Sequence, residues 1–187
     1  MSFTKSLCTL ALATLIVVPA FAQAPAAAPA AAPANPVAAS MAGTLGMVKG
    51  YILKSAEQLP ESLYSFKATP DVRSFGQLFG HIADANYMIC ATIAGEKSPA
   101  TASFEKTATT KADLTKALAG AFEYCEKVYA ATSDVDGAKI VDLFGMKMAK
   151  LAALGFNTAH DFEHYGNLVT YLRLNKMVPP SSQGRGM

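Results

Sequence analysis

The sequence predicts an all-α fold, a four-helix bundle running up-down-down-up with one long crossover between its second and third helices. Three observations predict it. Apolar residues recur at threes and fours over four long stretches beyond residue 40. No stretch alternates apolar and polar residues in the way that would support a sheet, and no internal repeat is present. The one long connection without an apolar period, residues 95–109, falls between the second and third helical stretches and is long enough to cross the bundle from end to end. At 187 residues the chain holds one domain with a core once its front end is set aside.

That front end reads as an export signal over residues 1–22. Lys5 supplies the positive start, Leu7 to Val18 an apolar run, and Ala20-Phe21-Ala22 a small-x-small cleavage site before Gln23. The run is short for a bilayer span and stops at Pro19, so no stable membrane span is expected after cleavage. Cys8 precedes the apolar run instead of ending it, which speaks against lipidation. Residues 23–40 follow as an Ala/Pro-rich linker with little to bury and prolines that interrupt a helix. The folded domain is expected over residues 41–182, with 183–187 as a tail, and the mature protein in the periplasm or outside the cell.

Within the domain, Leu45, Val48, Ile52 and Ala56 line one face of a first helix from about Ser40 to Gln58, ended by Pro60. Asp71-Val72-Arg73-Ser74 offers capping side chains for a second helix from Phe75 to Ala94, with Phe75, Leu78, Phe79, Ile82 and Ile89 on its stripe. A third helix starts at Thr110, with Asp113 at the capping-box position, and continues through Leu114, Leu118, Phe122 and Val128 to about Thr132. Residues 138–147 are apolar without a helical start and read as an extended strap. A fourth helix runs from Met148 to Asn175, Val178-Pro179-Pro180 closes the domain, and the polar stretch from Ser181 onward reads as a frayed surface tail.

Sixteen basic and fourteen acidic residues leave a formal net charge of +2, and the bases are scattered. With no phosphate-cradling glycine loop and no basic stripe, nucleic acid is excluded as a partner. The mature chain keeps Cys90 and Cys125, which read equally well as a disulfide in an oxidising compartment or as two small buried apolar residues.

The chain has three histidines. His160 and His164 stand as H-x-x-x-H on the fourth helix, and an i, i+4 pair aims both imidazoles from one face, where they can reach one divalent ion. His81 sits in the second helix among Leu78, Ile82 and Ala85, so it faces inward, where a bundle can set it opposite the pair. One ion would satisfy three inward imidazoles together; the alternative is core histidines bonded to Asp84, Glu163 or backbone carbonyls. Glu163 lies about 100° round the helix from His164, which argues against its being a ligand. Asp84 is a candidate general base, and Asp84 or Gln77 a candidate partner for an imidazole's second nitrogen. Tyr171 is a candidate proton donor. Phe156, Asn157, Asn167, Leu168 and Tyr171 share the histidine face.

Three segments carry a family resemblance. VRSFGQLFGHIADAN is similar to the second-helix motif of the DinB-like (YfiT-like) family of metal-dependent proteins, with its histidine at His81. NTAHDFEHYGNLVTYLR resembles that family's H-x-x-x-H-x-G-x-x-x-x-Y-x-R pattern at His160, His164, Gly166, Tyr171 and Arg173, and KMVPPSS resembles its closing Pro-Pro. The resemblance implies a bundle with a long crossover and one metal held by three histidines with open positions, zinc or nickel being the usual ions. Asn167 stands where the family often has glutamine, so an outer contact to the site is expected to be short or missing. By analogy the chemistry is hydrolysis or thiol-dependent group transfer on a small-molecule substrate. A non-catalytic binding or stress-related protein stabilised by the ion is the other class. A second copy of the chain is the one macromolecular partner considered.

Overall fold

The computed structural model describes residues 34–184, so the expected export signal, most of the expected linker and the last three residues lie outside the described residues. Four long helices form the body: α1 (Pro36–Gln58), α2 (Phe75–Ala94), α4 (Lys111–Ala131) and α6 (Lys150–Leu174). Between them stand two one-turn helices, α3 (Phe104–Thr107) and α5 (Asp134–Gly137), and a hairpin of β1 (Ile140–Leu143) with β2 (Met146–Ala149).

The direction of each long helix follows from its end contacts. Asp134, just past α4, accepts hydrogen bonds from the Val37 and Ala38 amides at the start of α1. At the other end, Lys111 of α4 donates to the carbonyls of Glu57 and Leu59, so α1 and α4 run in opposite senses. Gly76 lies by Leu114, the Tyr87 hydroxyl over Gly120, and Cys90 is bonded to Cys125, so α2 and α4 run the same way. Met41 meets Gly155 and Tyr51 stacks on Tyr165, which sets α6 parallel to α1. The order is up-down-down-up.

The crossover makes this order achievable. Gly95 ends α2 in the left-handed conformation, φ 74°, and its amide bonds back to the last turn. The chain then returns along α2, where α3 packs before α4 begins. Both main caps are those the sequence offers. Ser74 accepts from the Gln77 amide while the Gln77 side chain accepts from the Ser74 amide, and the Thr110 hydroxyl accepts from the Asp113 amide. Inside, Phe75, Phe79, Phe122, Leu45, Ile52 and Leu118 are fully buried in one core.

Three boundaries differ from expectation. The first helix starts at Pro36, inside the stretch expected to be linker, because proline at the first helical position lacks only an amide that has no helical partner there. Residues 140–149 form an antiparallel hairpin where only a strap was expected. Its two-residue turn, Phe144-Gly145, has φ of 57° and 78°, the signs that a tight hairpin of right-handed twist requires. The segment after Pro180 is tied down at first: Ser181 donates its amide to the Tyr165 hydroxyl, and the Gln183 side chain donates to that of Gln58. Cys90 and Cys125 form a disulfide between α2 and α4, with Cα atoms 5.4 Å apart.

Candidate metal centre

The antiparallel pairing of α2 with α6 brings His81 opposite His160 and His164. One potential ligand atom from each lies within 4.8 Å of the other two. The ring centroids are 5.3 Å (His81 to His160), 4.7 Å (His81 to His164) and 4.4 Å (His160 to His164) apart. His164 is buried and the other two half-buried. Burial, then repulsion from His160, His81 and Arg73, pushes the His164 pKa down to about 3, and burial with repulsion from His81 lowers that of His160. Both are neutral at pH 7, the form that ligates a metal.

The donor set fits one ion. The Nε2 atoms of His160 and His164 are 3.0 Å apart, a distance at which two bare nitrogens repel unless a proton or a cation lies between them. A cation shared by the two lone pairs would relieve that repulsion, and neutral imidazole is a good ligand for zinc, nickel and related divalent ions. The remaining nitrogen of one ring has a carboxylate as its outer partner. His81 donates from Nδ1 to Glu105 Oε2 at 3.1 Å, since a carboxylate only accepts, and its Nε2 is left with a free lone pair. Asn167 Nδ2 lies 3.4 Å from His164 Nδ1. An amide N–H only donates, so this contact does not supply the outer acceptor that a His164 ligating through Nε2 needs for its Nδ1 proton, in line with the missing outer contact expected at this position. His160 Nδ1 is buried without a partner among the described residues.

The other candidates are placed differently from one another. Both carboxylate oxygens of Asp84 are turned to the crossover, accepting from Ser103 Oγ (2.6 Å), the Phe104 amide (2.7 Å) and the Glu105 amide (3.1 Å). None of its hydrogen bonds goes to a histidine. Gln77 is likewise spent on its capping box. Tyr171 is buried, its hydroxyl donating to the Arg73 carbonyl at 2.9 Å. Glu163 is exposed, as its angle on the helix requires. Phe156 is exposed and packs edge-on against Phe144 of the hairpin. Asn157 belongs to a buried network with Asn86, Tyr129 and Asp161.

Two residues escaped sequence reasoning. Glu105 lies in a stretch with no period to place it, and Asp161 sits between two residues of the histidine motif yet is fully buried. The only signal for Asp161 was a carboxylate one residue from an inward histidine, which composition cannot tell from a solvated one.

A cavity of about 470 Å³ is lined by Lys67, Arg73, Gln77, Glu105, Asn167 and Tyr171 among others, and by none of the three histidines. Glu105 and Asn167, which contact His81 and His164, form part of its wall.

The sequence profile of the DinB superfamily matches residues 47–168, a span that contains all three histidines. The chain belongs to the DinB superfamily. Two solved structures share the fold. A DinB-like protein from Bacillus cereus is 17% identical with a TM-score of 0.67, over 76% of this chain and 95% of that one. A DinB-like protein from Bacillus subtilis is 23% identical with a TM-score of 0.63, over 79% and 99%. No curated protein matches the sequence. The DinB assignment accounts for the all-helical fold of the described domain.

Proposed function

We propose that this DinB-superfamily chain is an exported metalloprotein in which His81, His160 and His164 hold one divalent ion, zinc or nickel. It acts on a small molecule in the adjoining cavity, as a metal-dependent hydrolase or a thiol-dependent transferase. The observation that carries the reading is the convergence of the three imidazoles, with Glu105, the partner of His81, in the wall of the cavity. Three protein ligands leave room for a water or substrate atom, the arrangement of catalytic sites and not of closed structural ones. Export is supported by the signal pattern of residues 1–22 and by the disulfide, a bond kept in oxidising compartments.

When bound, the ion supplies Lewis acidity and lowers the pKa of a water or thiol beside it. The chain's own residues do the rest. Glu105 orients His81. Tyr171, through the Arg73 carbonyl, holds the segment that walls the cavity, and its ring packs edge-on to Phe66 and Phe75. Lys67 and Arg73, set among Asp71 and Glu105, give that wall charges of both signs, suited to a polar substrate.

An open site is tested with the cobalt(II)-loaded protein. Azide and 2-mercaptoethanol, added separately, are expected to change its visible absorption, with the thiol response favouring transfer chemistry. A spectrum indifferent to both would mean a closed coordination sphere and a stabilising ion only.

A further inference from the structure

The crossover is built against the metal centre at one point, and three independent features of α2 converge on it. Asp84 receives the Ser103 hydroxyl and the Phe104 and Glu105 amides, so it serves as the N-terminal cap of α3 from a different helix. Gly80, one turn before Asp84, lets the α3 backbone lie directly on α2. A Cβ there would stand 2.6 Å from both the Cα and the amide nitrogen of Glu105, closer than such atoms approach. Third, the Glu105 carboxylate is held from both sides, by His81 Nδ1 at 3.1 Å and by Arg73 Nε at 2.9 Å. Glu105 is about three-quarters buried, and the residues that fix its backbone, Gly80 and Asp84, flank His81 in sequence.

We infer that Glu105 is a positioning residue for His81, and that Asp84 and Gly80 act on the metal centre through it. The inference rests on the proposed three-histidine site. Which ring nitrogen of a histidine carries the proton is set by the bond that the other makes. By accepting from Nδ1, Glu105 favours the neutral tautomer with its proton on Nδ1, in which Nε2 is the nitrogen with the lone pair. A carboxylate in this position also makes the imidazole a better donor to a cation, and such outer partners contribute roughly ten- to a hundredfold to metal affinity. The role first considered for Asp84, a base acting on water, is replaced by an indirect one: it shapes the site without touching a histidine.

The test uses the full mature chain and two readouts. Zinc titration against a competing chelator is expected to show a fall of about ten- to a hundredfold for Glu105→Ala. Glu105→Gln should restore most of it, because its side-chain oxygen accepts the same bond. Asp84→Ala should weaken zinc binding in the same direction though it removes no atom from the site. The second readout needs no metal: the ring 15N shifts of His81 in metal-free protein. They should report the Nδ1-protonated tautomer in the wild type and in Glu105→Gln, and the other tautomer in Glu105→Ala. Zinc affinity unchanged in Glu105→Ala, or a His81 tautomer indifferent to it, would overturn the proposal. A wild type that binds no zinc would overturn the metal reading instead, and the tautomer would still decide the role of Glu105.

Discussion

Asp161 shows what a single buried group does to the pH response of this fold. Its Oδ1 accepts from Asn86 Nδ2 at 2.7 Å, while its Oδ2 and Asn157 Oδ1 are both buried without partners among the described residues. Burial outweighs the Asn86 bond and pushes its pKa from 3.8 up to about 8. Protonation turns one acceptor into a donor in a network short of donors. The sign follows from linkage: a raised carboxyl pKa contributes stability that is full below the ordinary carboxylate range and is lost as pH rises through about 8. Asp161→Asn carries no such dependence. In chelator-treated protein its melting temperature should exceed that of the wild type by a margin that grows between pH 4 and pH 8, and a margin constant with pH would refute this. The three histidines were legible as residues because helical spacing alone turns them inward. Glu105 and Asp161 were not, since the first is placed by tertiary contacts of an aperiodic loop and the second by the packing of three helices around it.

At the scale of elements, what the sequence made legible was whatever local chemistry decides. The second helix runs from Phe75 to Ala94 as its caps and stripe indicated, and α4 begins after Thr110. What was hidden depended on partners distant in the chain. The start of α1 is held by Asp134, and the hairpin packs on α2 and α6 with too few residues to show an alternating pattern. The Cys90–Cys125 bond belongs with these, because only the register of α2 on α4 brings the two Cα atoms to 5.4 Å. A crosslink between residues separated by 35 positions stabilises by roughly 2–4 kcal/mol, largely through the unfolded chain. Cys90→Ala with Cys125→Ala should therefore lower the melting temperature clearly, as measured by thermal unfolding. The intact mass of the exported protein should correspond to a chain beginning at Gln23 and lacking the two thiol hydrogens. Free thiols or an intact residue 1 in that sample would count against oxidation and export respectively.

For the whole molecule, topology is what assembles the site. Because the connection between α2 and α4 returns along α2, α4 runs parallel to α2 and α2 runs antiparallel to α6, so a residue near the middle of α2 meets residues near the middle of α6 across about eighty positions of sequence. The same connection carries Glu105 back to His81. The central claim is that His81, His160 and His164 form one ligand set. The direct measurement is metal content and affinity of the untagged mature protein for zinc and nickel, in the wild type and in His81→Ala, His160→Ala, His164→Ala and Glu163→Ala. About one ion per chain is expected, with a large loss of affinity in each histidine variant and none in the glutamate variant. Binding that survives His81→Ala unchanged would contradict the account and leave an H-x-x-x-H pair acting alone on one helix face.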